Sequence, residues 1–163
     1  MSKNICSLFG AALMALIVLA QPTLAQEKPI QLGIFTPLQL VSKDQGVSGV
    51  RLSLIYCQNT RVSGLDYGFV NRATSGVSKG VQLGFIGIVD TDFKGWQDCG
   101  VNITKGNCEG LQWGVVNYAG YVSGIQLGLV NYARSMHGLQ IGFVNIIKQG
   151  GQFPVFPIVN WSF

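Results

Sequence analysis

Three stretches of the chain are almost the same eight residues. They are Gly110-Leu111-Gln112-Trp113-Gly114-Val115-Val116-Asn117, Gly124-Ile125-Gln126-Leu127-Gly128-Leu129-Val130-Asn131 and Gly138-Leu139-Gln140-Ile141-Gly142-Phe143-Val144-Asn145. With the first Gly as position zero, the template is Gly, apolar, Gln, apolar, Gly, apolar, Val, Asn. Units begin at Gly49, Gly64, Gly80, Gly95, Gly110, Gly124 and Gly138, at spacings of 15, 16, 15, 15, 14 and 14 residues. Weaker copies flank them at Pro29–Phe35 and Phe153–Asn160, making nine units, and the first connection (Thr36 to Gly46) is the longest. A period this short cannot bury a core alone. Its copies must stack on one another, so the fold has to be read from the unit.

Within the unit the apolar residues alternate, which is the period of a strand and not of a helix. The chain is therefore expected to be all-β, with about nine short repeat strands joined by connections rich in turn formers, such as Asn131-Tyr132-Ala133-Arg134-Ser135. The template reads nearly alike in both directions from its Gln, so antiparallel neighbours can set Gln against Gln and Gly against Gly. An antiparallel meander closing into a small barrel follows from that symmetry. A β-solenoid, one coil per unit, or a two-layer repeat sheet is the rival, because it also stacks like on like.

Side-chain size separates the two faces of the unit. A small barrel has no room for a ring of Leu, Ile and Phe from every strand. The narrow face of Gly80, Gln82 and Gly84, and of its counterparts Gly110, Gln112, Gly114, Gly124, Gln126, Gly128, Gly138, Gln140 and Gly142, fits the interior. The large aliphatic face then points outward, against lipid or a partner. A solenoid or sandwich is expected to turn it inward. The last strand ends Val159-Asn160-Trp161-Ser162-Phe163, and a terminal aromatic residue marks Phe163 as a candidate assembly signal of an outer-membrane barrel. Three outward apolar positions per strand cover only about 15 Å, short of the roughly 25 Å apolar band of such barrels. Pro154 and Pro157 also make the last strand unfit for a central place.

The amino terminus is expected to be removed. Lys3 precedes an apolar run from Ile5 to Ala20, and Thr23-Leu24-Ala25 places small residues before a cut between Ala25 and Gln26. Residues 1–25 thus read as a secretory signal peptide and residues 26–163 as one β-repeat domain. Ten Lys and Arg then face seven Asp and Glu, the eleventh base being Lys3. The bases are scattered singly, which excludes a nucleic-acid surface. Three cysteines remain, and the nine-residue separation of Cys99 and Cys108 leads to the expectation of a disulfide across one hairpin, with Cys57 left over.

The signal peptide, the Gly-x-Gln-x-Gly-x-Val-Asn repeat, the copy Gly64-Leu65-Asp66-Tyr67-Gly68-Phe69-Val70-Asn71, the lead-in Gly49 to Tyr56 and the ending Pro157 to Phe163 together resemble a family of bacterial surface-repeat proteins. The resemblance spans essentially all of residues 26–163. It implies an exported, envelope-associated protein of Gram-negative-type bacteria and brings no activity or site residue with it. The chain departs from the pattern at three places. Asp98 stands for an aliphatic residue, Cys99 for the second Gly of its unit, and Gly87 for the Asn of its unit.

No pattern of catalytic residues emerges. The Gln series, which also includes Gln31 and Gln97, reads as a ladder of mutually bonded amides. The Asn series (Asn117, Asn131, Asn145) reads as strand closers bonding to turn amides. Asp90, Asp92 and Asp98 surround one connection but lack the donor spacing of a calcium loop. His137 is the lone histidine, so neither a metal site nor a base–nucleophile pair is indicated. Tyr118, Tyr121 and Tyr132 recur at strand ends, as an interfacial girdle or as core caps. The expected role is non-enzymatic, without cofactor. It is structural or interactive at the outer membrane or cell surface, with lipid or envelope proteins as partners. The alternative is a soluble secreted module that binds a protein or glycan.

Overall fold

The computed structural model describes residues 27–163, so the expected signal peptide lies outside the described residues. The described chain is a single nine-stranded sheet wound into a β-solenoid. Its elements are β1 (Lys28–Phe35), β2 (Leu38–Gln39), β3 (Val47–Asn59), β4 (Val62–Ala73), β5 (Val77–Val89), β6 (Asp92–Trp113), β7 (Val116–Leu127), β8 (Val130–Gln149) and β9 (Val155–Ser162). Their order in the sheet is β2-β1-β3-β4-β5-β6-β7-β8-β9. Strands β1 through β8, except β2, pair in parallel, and like lies on like: Gly49 on Gly64, Gly64 on Gly80, Gln112 on Gln126, Asn117 on Asn131. Antiparallel pairing occurs only at the two ends, β1 with β2 and β8 with β9.

The antiparallel meander and the barrel are thus replaced by the rival solenoid. The symmetric template fits either pairing. The zero-position glycine is what decides, by acting as a corner. All seven have φ between +111° and +147°, a range open to Gly and strained for other residues. Backbone bends there without leaving the ladder, and β6 accordingly runs on for 22 residues through two successive coils. Seven glycine corners and the coil led by Pro29 make eight coils. A Cβ on any of the seven would be driven into a carbonyl oxygen of the coil before it.

The Gln positions do lie inside, as expected, with the first Gly of each unit at a corner, and the aliphatic face lies outside, although a solenoid was expected to reverse them. The reason is the same narrowness that was argued for a barrel. One coil has about fifteen residues, and its interior holds only four side chains in register. In the sixth coil these are Gln112, Asn117, Ala119 and Val122, all fully buried. Half of the core is therefore amide. The other half is a thin apolar column that includes Ala73, Val89, Phe93, Ala119, Val122, Ala133, Met136 and Ile147.

Candidate interaction face

The amide half of the core is bonded largely to itself. Gln97 Nε2 donates to Gln82 Oε1 at 2.8 Å, Gln112 to Gln97 at 2.8 Å, Gln126 to Gln112 at 2.7 Å and Gln140 to Gln126 at 2.7 Å. The row continues into the second and third coils as a buried ion pair. Gln82 Nε2 donates to Asp66 Oδ2 at 2.7 Å, and Arg51 holds both Asp66 oxygens through Nε (2.6 Å) and Nη2 (2.7 Å). The Asn row runs oppositely. Asn102 Nδ2 donates forward to Asn117 Oδ1, Asn117 to Asn131 and Asn131 to Asn145, each at 2.8 Å. The two rows of amide dipoles oppose each other along the axis. Asn117 and Asn131 also donate to the carbonyls of Leu127 and Ile141, so the Asn series is a second ladder as well as a strand closer.

Between Asn71 and Asn102 the Asn row is broken by Gly87, and the Oδ1 atoms of both flanking asparagines are unpaired. The gap is filled from the next coil. A Cβ on Gly87 would meet Cys99 Sγ at 2.9 Å and collide with Gln82 Oε1. Cys99 and Gly87, two of the three departures from the repeat, are thus one compensated exchange. Cys57 similarly occupies the Asn column in front of Gly33.

The expected Cys99–Cys108 disulfide is absent: both thiols, and that of Cys57, are free and buried. The eight intervening residues do not form a hairpin. They run along β6 around one coil, so Cys99 bonds weakly to the Gln82 carbonyl while Cys108 sits in the apolar column against the Gln97 amide. Burial pushes both thiols up to about 12, with Asp66 and Asp98 adding to the effect on Cys99 and Glu109 adding on Cys108 against a lowering bond from Thr104.

With the polar groups so engaged, the outward face is the part of the molecule left open. Positions one, three and five of every unit stack into three parallel columns. The first holds Ile30, Val50, Leu65, Val81, Trp96, Leu111, Ile125 and Leu139. The second holds Leu32, Leu52, Tyr67, Leu83, Asp98, Trp113, Leu127 and Ile141. The third contains Phe69, Phe85, Gly100, Val115, Leu129 and Phe143, and the Phe69 and Phe85 rings stack at 5.0 Å. Many of these side chains are more than half exposed, among them Tyr67, Phe69, Phe85, Trp113, Leu129 and Phe143. Three hollows open on this face among the described residues, one of them, about 500 Å³, between Leu54, Tyr67, Phe69 and Phe85. A groove of about 730 Å³ lies at the amino-terminal end, where Leu38 and Leu40 of the first connection face Leu32, Ile34, Leu52 and Leu54. A smaller one, about 370 Å³, lies beside Asp98 and Gly100.

The remaining sequence candidates scatter. Arg72 and Lys105 both pair with Asp90, at 2.8 and 2.6 Å, and outweigh its burial to hold its carboxyl below the usual range. Asp92 accepts the backbone N–H of Asn107, and Asp98 lies on the apolar face, so the three acids do not converge. Among the described residues no group of three or more metal-ligating side chains occurs. His137 meets Phe163 edge-on at 5.9 Å, and Tyr118 stacks on Tyr132 at 5.0 Å. Phe163 follows the antiparallel edge strand β9, 86% exposed. Part of the sequence signal for the Asp98 hollow is the departure at Asp98, and Gly100, two residues on at a position that carries an apolar side chain in other units, completes it.

The chain matches no protein-family model, no curated protein and no solved structure.

Proposed function

We propose that this is a non-enzymatic exported protein with a structural or interaction role in the cell envelope, exerted through its apolar face. One observation carries the reading: most amides of the core are bonded to one another, while large apolar side chains stand outward along all eight coils. A patch of this extent exceeds what a freely diffusing monomer exposes, and its natural use is to be covered. The surface-repeat resemblance and the leader-like residues 1–25 argue for the envelope as the place where that happens.

Fractionation of producing cells tests this. The mature chain should be recovered with the outer membrane or cell surface and released by detergent. Recovery as a free monomer in the periplasm or medium would favour the soluble secreted module instead.

A further inference from the structure

The covered face has a chemistry that discriminates among the surfaces that could cover it. Eight coils at about 4.8 Å give a length near 38 Å, and three outward positions with their side chains give a width near 20 Å. That footprint is about the roughly 800 Å² that one partner contributes to a standard protein interface. In the three columns, among the described residues, Asp98 is the sole charged side chain. It stands between Leu83 of the coil before and the coil that carries Trp113, two residues from Trp96. None of the ion pairs of the described residues includes it. Beside it, Gly100 leaves out one side chain of the third column, and the hollow so formed is walled by Trp113, Val115 and Leu129.

Resting on the reading of this face as an interaction surface, we infer that its occupant is an envelope protein that presents an apolar surface with one Lys or Arg directed onto Asp98. A carboxylate sealed under a partner is tolerable only with a cation against it. Two indoles close to that carboxylate also suit a cation, which is drawn to their faces. Lipid supplies neither, and an uncompensated Asp in hydrocarbon is costly. The column bordering the face reads Ser48, Ser63, Lys79, Lys94, Glu109, Ser123 and His137, a mixed edge and not a basic flank for anionic headgroups.

A second copy fits no better. A two-fold axis along the solenoid sets Asp98 against Asp98. A two-fold axis across it sets the fifth coil against the fourth, and buries both carboxylates over Leu83 with no base from either face. A glycan would find one polar side chain where it needs several.

The test uses the full chain in the cells that produce it, with a benzophenone photocrosslinker placed at Leu83 (Leu83→p-benzoylphenylalanine). The expected result is one protein adduct whose crosslinked peptide contains Lys or Arg. Its yield should fall at least tenfold in Asp98→Lys, and changing that partner base to Asp should restore it. Asp98→Asn and Asp98→Lys, unfolded in urea beside the parent, should share its midpoint, since Asp98 lies outside the core. A lipid adduct, a crosslinked pair of this chain, an adduct indifferent to Asp98→Lys, or no adduct would each overturn the inference. Lipid adducts in an envelope fraction would leave the envelope reading standing. A free monomer in the soluble fraction would remove both.

Discussion

Gly124 shows how much a single hydrogen atom decides in this molecule. Its φ is +142°, and a Cβ there would collide with the carbonyl oxygen of Gly110 one coil earlier. Gly124→Ala should therefore cost about 3 kcal/mol or more in urea unfolding. A loss under about 1 kcal/mol would mean that the corner can relax and that close stacking is not its purpose. Gln126 is the matching case for the amides. Gln126→Leu strands Gln112 Oε1 and takes from Gln140 Nε2 its ladder acceptor, although that nitrogen keeps the Ile146 carbonyl at 3.1 Å. About 2–4 kcal/mol is expected. The sequence announced both roles, Gly by its recurrence and Gln by its phase. It could not announce the positive φ, because a glycine needed for bending and one needed for lack of bulk look alike.

The buried thiols give a third prediction at this scale. At pH 8, in the absence of reductant, a thiol reagent should leave Cys99 and Cys108 unmodified in the folded protein and label both after unfolding in guanidinium. Failure to label after unfolding would restore the disulfide. Their pKa is raised, so the folded state keeps protons that the unfolded state sheds above about 9. Stability should hold below that pH and decline between about 9 and 12, as the sign of the linkage requires.

At the scale of the coil, the exchange of Gly87 and Cys99 is the clearest test of how units fit. Gly87→Asn alone drives an amide into Cys99 Sγ and Gln82 Oε1, and Cys99→Gly alone leaves a void. The double variant rebuilds the repeat pattern and offers partners to Asn71 and Asn102. It should be at least about 2 kcal/mol more stable than the two single losses predict by addition. Strict additivity would mean that the two positions do not share space.

The second and third coils allow a related comparison. Arg51→Met leaves the buried Asp66 carboxylate with no cation and only the Gln82 amide against it, which should cost about 3–5 kcal/mol. Arg51→Gln with Asp66→Gln prolongs the ladder and should recover most of that loss. Asp66 was visible in the sequence as the residue standing at the Gln position of its unit. Arg51 stands at the same position of the unit before, but their pairing was not visible, since they lie 15 residues apart and only parallel stacking brings them together.

At the scale of the molecule, sequence and structure part over topology, while agreeing on class and on which face is inside. Volume decided the faces, and volume can be read from residue types. Pairing direction could not be read, because Gln126 meets Gln112 equally well in a meander or a coil. Only the ends reveal themselves. Pro154 and Pro157 mark the strand that reverses and covers the open edge of β8. Chain shortened to end at Gly150 should expose that edge and associate end to end, seen as a rise in light scattering with concentration. A shortened chain that stays monomeric would show that β9 has another purpose.

The opposed amide rows have a consequence for how such a molecule can change in size. Gln donors point toward the amino terminus and Asn donors toward the carboxyl terminus, so every added coil contributes two dipoles that nearly cancel. Duplicating a unit therefore lengthens the rod by one strand spacing, about 4.8 Å, without building up voltage along its axis. The width of the adhesive strip stays fixed while its length grows in equal increments. Coil number becomes a counting device, and what it measures out is the length of whatever lies against the strip.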